Sequence, residues 1–485
     1  MQDRIFDRHP QGTMNPENGP SLRFADLWRW SGTVDRGPYA LIGVVLFVVK
    51  YGLDRTVSVY GFGRPWSPLD YLNLPNMGAI TALGRDDLIY CAAMVAVALP
   101  FIWMGTALSA KRLRAARLPV WLVVFFFAPL LNVLFFAILS VLPTCMAAAP
   151  ERPEGSPSGL RGFFDRVIPR SRFGNAAVAL VLTLPAFLLG SVLSVEFFAS
   201  YGWSLFVGMP FALGLVAAML YGYHAERSLA GCVAVACLAV GLLAGGLMIF
   251  AMEGAICLLM AAPLGFGLAA LGGMVGHALQ KRPAHGGEAT KVMAAVWLVL
   301  PLVFGLEQIQ EPTPPLIPVR TMIEIDAPPE TVWRHVVSFS ELPSPEDWLF
   351  RTGIAYPMRA RIEGEGVGAV RHCEFSTGAF VEPITVWEAP HRLAFSVYAQ
   401  PHPMQEWTFF KDLDPAHLDG YFGSERGQFL LTSLPSGRTL LEGTTWYRHR
   451  IWPNAYWQQW SDWALHRIHR RVLRHVKRLA EADTA

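Results

Sequence analysis

Charged side chains are scarce in this chain. Asp, Glu, Lys and Arg make up 16% of its 485 residues, whereas they make up ~25% of an average soluble domain. The formal net charge is +2, so the composition gives no general electrostatic attraction to nucleic acid, which is not a predicted partner. The low charge is typical of a chain that is partly dissolved in lipid.

Motifs of the common cofactor and hydrolase families are absent as well. The sequence has no P-loop, GxGxxG, GxSxG or HExxH motif, so nothing supports nucleotide use or the usual hydrolase chemistries. None of the six cysteines belongs to a CxxC pair, which argues against a zinc knuckle or a disulfide framework. His466 and His469 share a helix face, but with only His449 as a further ligand a solvated basic face is favoured. No cofactor and no metal site is therefore predicted.

The N-terminal segment, residues 1–37, is polar and contains no apolar h-region. A cleaved signal peptide is therefore not predicted, and the first membrane span is expected to act as the targeting signal.

Long apolar runs occupy the chain up to about residue 306. A run of ~20 apolar residues matches the ~30 Å hydrocarbon layer of a bilayer. The sequence predicts a multi-pass α-helical bundle of about eight helices in two blocks, 38–145 and 174–306, in the plasma membrane, taken to be a bacterial inner membrane. The predicted spans are 39–53, 88–108, 118–142, 176–198, 203–221, 228–251, 254–276 and 292–306.

Two membrane topologies remain open, because basic residues flank one apolar run on both sides. Arginines and a lysine at 111–117 precede the run at 118–142, arginines at 152–172 follow it, and such residues favour the cytoplasmic side. A single crossing places the C-terminal part in the cytoplasm, and the length of the second basic loop favours this interpretation. Pro129 and Asn132 also allow a re-entrant hairpin, which would place the C-terminal part outside the cytoplasm.

Small residues are frequent and polar ones rare in the second block. A spacing that lets helices approach closely occurs at Gly241/Gly245 and Gly272/Gly276. It favours packing within one bundle, with a homo-oligomer as the alternative. Glu196 and Glu253 lie near span ends, where headgroups and water solvate them, so the polar mid-membrane groups of a transporter are not indicated. The loop at 146–173 alternates arginines with apolar residues and is either an interfacial helix or a solvated linker.

One part of the membrane region resembles a known family. Residues 110–136 read AKRLRAARLPVWLVVFFFAPLLNVLFF. They resemble a family of small bacterial inner-membrane proteins of unknown function, which share a basic loop, a Trp and an apolar stretch broken by Pro. Arg112, Leu113, Trp121 and Pro129 match, while Arg114 and Ala115 replace the His-Asp pair of that family. The resemblance covers residues 25–145 and implies no activity.

Prolines separate the membrane part from the last third. The segment 307–318 reads EQIQEPTPPLIP and is expected to be extended and stiff, so that it keeps the next domain within ~35 Å of the bilayer. Residues 319–485 predict an α+β domain: a strand, two short helices, several antiparallel strands and a long amphipathic helix at 454–481. The strands are predicted at 319–325, 360–362, 370–375, 385–387, 393–398, 406–410, 428–433 and 439–448.

This domain resembles the START-like, or SRPBCC, superfamily of polyketide cyclases and lipid-transfer domains. The resemblance rests on the order of elements and on Ile325-Asp326-Ala327-Pro328, Val332-Trp333, 364–371, Trp387-Glu388-Ala389-Pro390 and the final helix. It implies a helix-grip fold, in which a bent sheet wraps a long helix and leaves an apolar cavity for a small molecule or lipid chain.

The candidate ligand-binding residues are aromatic and charged side chains of this domain. An ordinary core role is the alternative for each aromatic. An ion pair of Arg371 with Glu442 or Glu374 could hold a ligand headgroup. The full set is Trp348, Phe350, Arg371, Glu374, Trp407, Phe409, Glu442, Tyr447, Trp457 and Trp460.

Three functions remain open. The favoured one is a membrane-anchored protein that binds a hydrophobic, lipid-like ligand taken from the adjacent bilayer. The others are a non-catalytic interaction or assembly module and a cyclase- or aromatase-type enzyme. No catalytic residue is assigned, although a strand carboxylate or histidine facing the cavity would suit acid–base chemistry.

Overall fold

The computed structural model describes most of the chain as a helical block followed by a sheet domain. The described residues are 24–67, 70–71, 85–127, 131–142, 144, 167–197, 201–281, 288–309, 314–409, 415–435 and 437–484. The helices before residue 310 are α1 (Arg36–Thr56), α2 (Arg85–Ala115), α3 (Leu131–Val141), α4 (Arg172–Val192), α5 (Met209–Tyr221), α6 (Leu229–Ile249), α7 (Ala255–Gln280) and α8 (Glu288–Ile309).

Five helices of the described part are long and apolar enough to cross a membrane. They are Asp86–Ala115, Arg172–Val195, Ser204–Tyr221, Leu229–Ile249 and Ala255–Gln280. These five helices do not confirm the predicted number of about eight spans. Most of the loop predicted at 146–173 lies outside the described residues.

The apolar run at 118–142 does not form one continuous helix. The run begins with a 3-10 helix, Val120–Phe127, and ends with α3. The rings of Phe125 and Phe135 lie 6.0 Å apart, whereas ten residues along a straight α-helix rise ~15 Å. The run therefore folds back as a hairpin.

A buried arginine holds the two ends of this hairpin together. The fully buried Arg112 lies in the last turn of α2, immediately before the run. Its guanidinium donates hydrogen bonds to the carbonyl oxygens of Leu139, at 2.9 Å, and Leu142. The run therefore begins and ends at the same end of the bundle.

Basic residues collect at one end of the bundle, called here the basic face. His224, after α5, contacts the carbonyl oxygen of Ile168, before α4, at 2.7 Å. Arg36 and Lys291 line a common cleft with Val141 at the end of the hairpin. The basic side chains at these helix ends are Arg36, Lys111, Arg112, Arg114, Arg117, Arg170, Arg172, Arg227, Lys281 and Lys291. The turn between α6 and α7 lies at the opposite end and meets the sheet domain.

The small residues of α7 serve packing inside the bundle. A Cβ atom on Gly272 would lie 2.1 Å from the carbonyl oxygen of Phe211, and one on Gly276 would lie 2.7 Å from Cβ of Ala218. Only glycine lets α5 and α7 approach this closely. A Cβ atom on Gly245 would have no neighbour within 4 Å, so an oligomer role for the pair Gly241/Gly245 stays a prediction.

The C-terminal domain is one antiparallel sheet with a long helix. The sheet order is β1-β7-β6-β5-β4-β3-β2, which together with the terminal helix fits a helix-grip fold. The strands are β1 (Ile317–Ile325), β2 (Pro357–Glu363), β3 (Val370–Phe375), β4 (Gly378–Glu388), β5 (Arg392–Ser396), β6 (Phe422–Ser433) and β7 (Thr439–His449), and the helices are α9 (Pro329–Val337), α10 (Trp348–Arg351) and α11 (Asn454–Ala482). The strand predicted at 406–410 is wrong over 406–409, where the chain forms a loop.

The C-terminal half of α11 closes the core of this domain. Val472, Leu473 and Val476 lie in one buried cluster with Leu393 and Leu441 of the sheet. The helical spacing of these residues aligns them on one side of α11. The N-terminal half of α11 lies closer to the membrane block, where it covers the space that this core does not fill.

We expect Arg112→Met to destabilise the hairpin. It leaves the carbonyl oxygens of Leu139 and Leu142 without their donor, at a cost of about 1–3 kcal/mol for each orphaned group. The thermal midpoint of the detergent-solubilised protein should fall by several degrees. Arg114→Met is the matched control, because Arg114 donates to Gly32 in an exposed position. Equal midpoints for the two variants would contradict the proposed role of Arg112.

Candidate functional site

An apolar cavity of about 190 Å³ lies between the sheet and the first half of α11. The helix contributes Trp457, Trp460, Ala464 and Ile468, which recur every three or four residues and so share one face. The small side chain of Ala464 leaves space where a larger one would fill it. The sheet contributes Phe375, Phe380, Phe395 and Phe422, and Val397 follows directly after β5.

The membrane block supplies part of the cavity wall. Cys257 and Met260 of α7 line the same cavity. Met260 lies five residues into α7, about 8 Å along it at the α-helical rise. The cavity therefore extends along the first turn and a half of α7.

A buried ion pair lies at the sheet side of the cavity. Arg371 and Glu382 are directly opposite each other on β3 and β4, and Nη1 of Arg371 lies 2.5 Å from Oε2 of Glu382. The guanidinium also lies 5.2 Å from the ring centre of Phe395. Burial raises the pKa of Glu382 above its usual value despite the neighbouring Arg371. Glu382 itself lines the cavity, so it offers a carboxyl group to an apolar space.

His449, at the end of β7, is a second polar group on the cavity wall. It is 1% exposed, and burial lowers its pKa to about 4. Its Nε2 atom has no hydrogen-bond partner among the described residues. At neutral pH His449 is therefore an uncharged imidazole that can donate or accept one hydrogen bond.

The predicted ligand-binding residues separate into two groups. Trp457 and Trp460 line the cavity. Tyr447 is fully buried and donates a hydrogen bond to Asp462 at 2.8 Å. Arg371 pairs with Glu382, which corrects the expected pairs with Glu442 or Glu374. Ligand contact by these residues stays a prediction.

The structure places the remaining charged residues away from the cavity. Glu374 pairs with Arg359 of β2 at 2.5 Å. Glu442 follows the buried Leu441 on β7, and because successive strand side chains point to opposite faces it lies on the outer side of the sheet. It accepts a hydrogen bond from Thr444 there.

The remaining aromatic residues also lie outside the cavity. Trp348 and Phe409 are 59% and 83% exposed. Phe350 packs against Ile256 of α7, and the carbonyl oxygen of Trp407 accepts a hydrogen bond from the amide of Ala255 at 2.9 Å. Phe350 and Trp407 therefore serve the contact between the two domains.

The loop around Glu406 caps the N-terminus of α7. The first amides of a helix have no partner inside the helix. Those of Ile256 and Cys257 donate to the carboxylate of Glu406 at 2.9 and 3.0 Å. A Cβ atom on Gly254 would lie 2.2 Å from Oε2 of Glu406, so glycine is required there. This capping fixes the sheet domain to the end of a membrane helix.

A group of buried polar residues, called here the junction cluster, lies at this contact. It consists of Glu253, Cys257, Glu406 and His417. Nδ1 of His417 lies 3.2 Å from Oε2 of Glu253, and Nε2 of His417 lies 3.6 Å from Oε1 of Glu406. Burial alone would lower the pKa of His417, but the two carboxylates outweigh it and raise the pKa to about 9.

A second cavity, of about 130 Å³, lies on the membrane side of the junction cluster. Glu253 and Cys257 line it together with residues of α4 to α7. Cys257 therefore faces both cavities, since it also lines the larger one. The junction cluster is the polar boundary between an apolar space in the sheet domain and one in the bundle.

Sequence reasoning missed the junction cluster. Glu253 was expected to be solvated near a span end, but it is buried in the cluster together with Cys257. Their four-residue spacing is a weak signal, and nothing in the sequence links them to His417. The side chain of Glu196 lies outside the described residues. His466 and His469 are also not simply solvated, because both contact Oγ1 of Thr321, at 2.8 and 3.1 Å.

Comparison with known proteins finds similarity to solved structures over about a third of the chain. No family model and no curated protein matches. Zhui aromatase/cyclase from Streptomyces sp. R1128 shares 14% identity over 35% of this chain and 97% of its own, with a TM-score of 0.25. A point mutant of Thalictrum flavum norcoclaurine synthase shares 10% over 36% and 100%, with a TM-score of 0.24. XoxI from Bacillus cereus shares 17% over 34% and 96%, also with 0.24. Values this low carry no argument about function.

We expect the stability of the protein to fall as the pH is lowered from about 6.5 towards 4. In this window the unfolded chain binds a proton at His449 and the folded chain does not, which favours unfolding by about 3 kcal/mol in total. His469, whose pKa burial also lowers to about 4, contributes in the same direction. In His449→Gln the drop in thermal midpoint between pH 7 and pH 4.5 should shrink by roughly half.

His391→Gln is the control for this measurement. His391 is exposed in the turn between β4 and β5. Its replacement should leave the pH dependence unchanged. A His449→Gln variant with the same pH dependence as the parent would show that His449 is not the group responsible.

Proposed function

We propose that this protein is a membrane-anchored binder of a small hydrophobic ligand. The observation that carries the proposal is the shared wall of the 190 Å³ cavity, in which α7 of the membrane block and α11 of the sheet domain face the same apolar space. A ligand that partitions into the bilayer would reach this space beside the end of α7. The anchor also raises the local concentration of such a ligand, so the intrinsic affinity need not be high.

The size of the cavity restricts the ligand. An engineered cavity of ~150 Å³ binds benzene, and pockets for drug-sized molecules measure ~300–1,000 Å³. The cavity of about 190 Å³ therefore suits a single ring or a short stretch of chain. A longer, lipid-like ligand would also need the second cavity of about 130 Å³, which lies beyond the junction cluster. Glu382 and His449 would offer hydrogen bonds to a polar group on the ligand.

An enzyme of cyclase or aromatase type is the second candidate function. Its requirement is an ionisable side chain on the cavity wall. Glu382, whose pKa burial raises, and the neutral His449 meet that requirement, because a carboxyl group and an imidazole are both common proton donors and acceptors in enzymes. The third interpretation, an interaction module, would be favoured by an interior filled with its own aromatic side chains.

We further propose that the sheet domain lies on the non-cytoplasmic side of the plasma membrane. The hairpin returns to its starting side, so the basic residues before and after it share the basic face, and Lys and Arg in short loops mark the cytoplasmic side. The 26 residues of α7 span about 39 Å, which separates its C-terminal end at the basic face from its N-terminal end at the sheet domain. This differs from the cytoplasmic location favoured from sequence.

Filling the cavity tests the binding proposal. We expect Ala464→Trp to weaken binding of an apolar fluorescent probe to the full chain in nanodiscs by tenfold or more, because the indole occupies the space. Ala455→Trp, on the exposed face of the same helix, should bind the probe as the parent does. Native mass spectrometry should find co-purified hydrophobic molecules on the parent and on Ala455→Trp only. Unchanged probe binding by Ala464→Trp would refute the cavity as the binding site.

Thiol labelling of intact cells tests the proposed orientation. A membrane-impermeant maleimide should label a cysteine placed at Tyr398, which is 84% exposed in the sheet domain, and should not label one placed at Arg117 on the basic face. The parent chain serves as the blank for its own cysteines, and permeabilised cells should label both positions. The opposite pattern would place the sheet domain in the cytoplasm.

A further inference from the structure

The junction cluster has the donor atoms of a transition-metal site. One oxygen of Glu253, the sulfur of Cys257 and one nitrogen of His417 all lie within 4.8 Å of one another. All three residues are buried and are 5–8% exposed. Carboxylate, thiolate and imidazole are the ligands that Zn²⁺ takes in proteins. The cluster combines residues from the α6–α7 turn, from α7 and from the sheet domain, so only the docked fold brings the donors together.

Two of these donors lie at the separation of neighbouring metal ligands. Oε2 of Glu253 and Nδ1 of His417 are 3.2 Å apart and form an ion pair when the imidazole is protonated. Zn–O and Zn–N bonds of ~2.0 Å in a tetrahedral site put the two ligand atoms ~3.3 Å apart. The observed separation therefore already matches one edge of such a site.

Two of the three ligands have a polar neighbour on their far side. The hydroxyl of Tyr201 donates to Oε1 of Glu253 at 2.9 Å, which leaves Oε2 for a metal. Glu406 lies 3.6 Å from Nε2 of His417 and is itself held by two amides of α7. A carboxylate behind the ligating histidine is the usual arrangement at zinc sites, because it fixes the orientation of the ring.

Charge balance also favours a divalent cation. A carboxylate, a thiolate and a neutral imidazole sum to two negative charges, which Zn²⁺ neutralises. A buried site of zero net charge avoids the cost of burying an uncompensated ion. The partial positive charge at the N-terminus of α7 offsets the remaining carboxylate, that of Glu406.

We propose that Glu253, Cys257 and His417 bind a zinc ion at the boundary of the two cavities. Three protein ligands leave a fourth position for water or for a polar group of a bound molecule, as at catalytic zinc sites. The ion would also tie the sheet domain to the membrane block, since His417 belongs to one and Cys257 to the other. This inference does not depend on the proposed hydrophobic ligand.

Metal analysis of the full chain tests the proposal. Protein purified in detergent without chelator should contain about one zinc per chain by mass spectrometry of the elements. After removal of zinc with a chelator, titration with Co²⁺ should give a thiolate-to-cobalt charge-transfer band, and zinc should displace the cobalt. Zinc should also raise the thermal midpoint of the metal-free protein. A parent protein that contains no stoichiometric zinc and gives no thiolate band with Co²⁺ would overturn the proposal.

Variants identify the ligands. Cys257→Ala should abolish the charge-transfer band, while Cys237→Ala, which removes a thiol of α6 outside the cluster, should keep it. Glu253→Gln and His417→Gln should each weaken zinc binding by tenfold or more. A band that survives in Cys257→Ala or disappears in Cys237→Ala would contradict the assignment. If Cys257→Ala does not fold, the charge-transfer band of the parent protein with Co²⁺ still tests whether a thiolate binds the metal. Binding of the apolar fluorescent probe, measured on the same variants, shows whether the hydrophobic-ligand site is lost independently of the zinc site.

Discussion

The capping of α7 by the Glu406 loop is the interaction on which the rest of the structure depends. The amides of Ala255, Ile256 and Cys257 donate to the loop rather than to water. The N-terminus of a helix carries a partial positive charge, so a buried carboxylate is stabilised there. If the loop left this position, both a buried carboxylate and the helix amides would lose their partners, which costs more than the loss of a surface contact. The sheet domain is therefore held in one orientation on the bundle.

This orientation determines where the cavity opens and what surrounds it. The first half of α11 faces α7 and the sheet together, so an apolar space forms between the membrane block and the sheet domain. The same contact buries Glu253 and His417 against each other. A hydrophobic cavity, a polar cluster and a second cavity in the bundle thus follow one another along the end of α7. This arrangement of two apolar cavities around a polar cluster best suits the binding of an apolar molecule with one polar group.

Much of the fold could be predicted from the sequence, because it depends on local patterns. The length of apolar runs identified helices such as α6 and α7, and alternation together with the periodic face of α11 identified the sheet and its helix. Glu442 was misplaced because strand register decides which face a residue occupies, and short polar strands do not reveal it. The partner of Arg371 likewise depends on the register of β3 and β4, which places Glu382 opposite it.

The contact between the domains could not be predicted, because it joins residues far apart in the chain. The segment 406–409 has the composition of a strand, yet its backbone and the Glu406 side chain cap a helix that begins 150 residues earlier. Phe350 was expected in the cavity because aromatic residues suit either a core or a ligand, and only its contact with Ile256 distinguishes the two. The hairpin at 118–142 likewise depends on the contact between Arg112 and Leu142, two residues that lie 30 positions apart in the chain.

A cryo-electron microscopy structure of the full chain in lipid nanodiscs is the most direct test of the central claim, that an apolar cavity is held open against the end of a membrane helix. We expect the carboxylate of Glu406 to lie within hydrogen-bond distance of the α7 amides and the space beside Ala464 to contain density that is not protein. A sheet domain detached from α7, or an interior filled by its own Trp and Phe side chains, would contradict it.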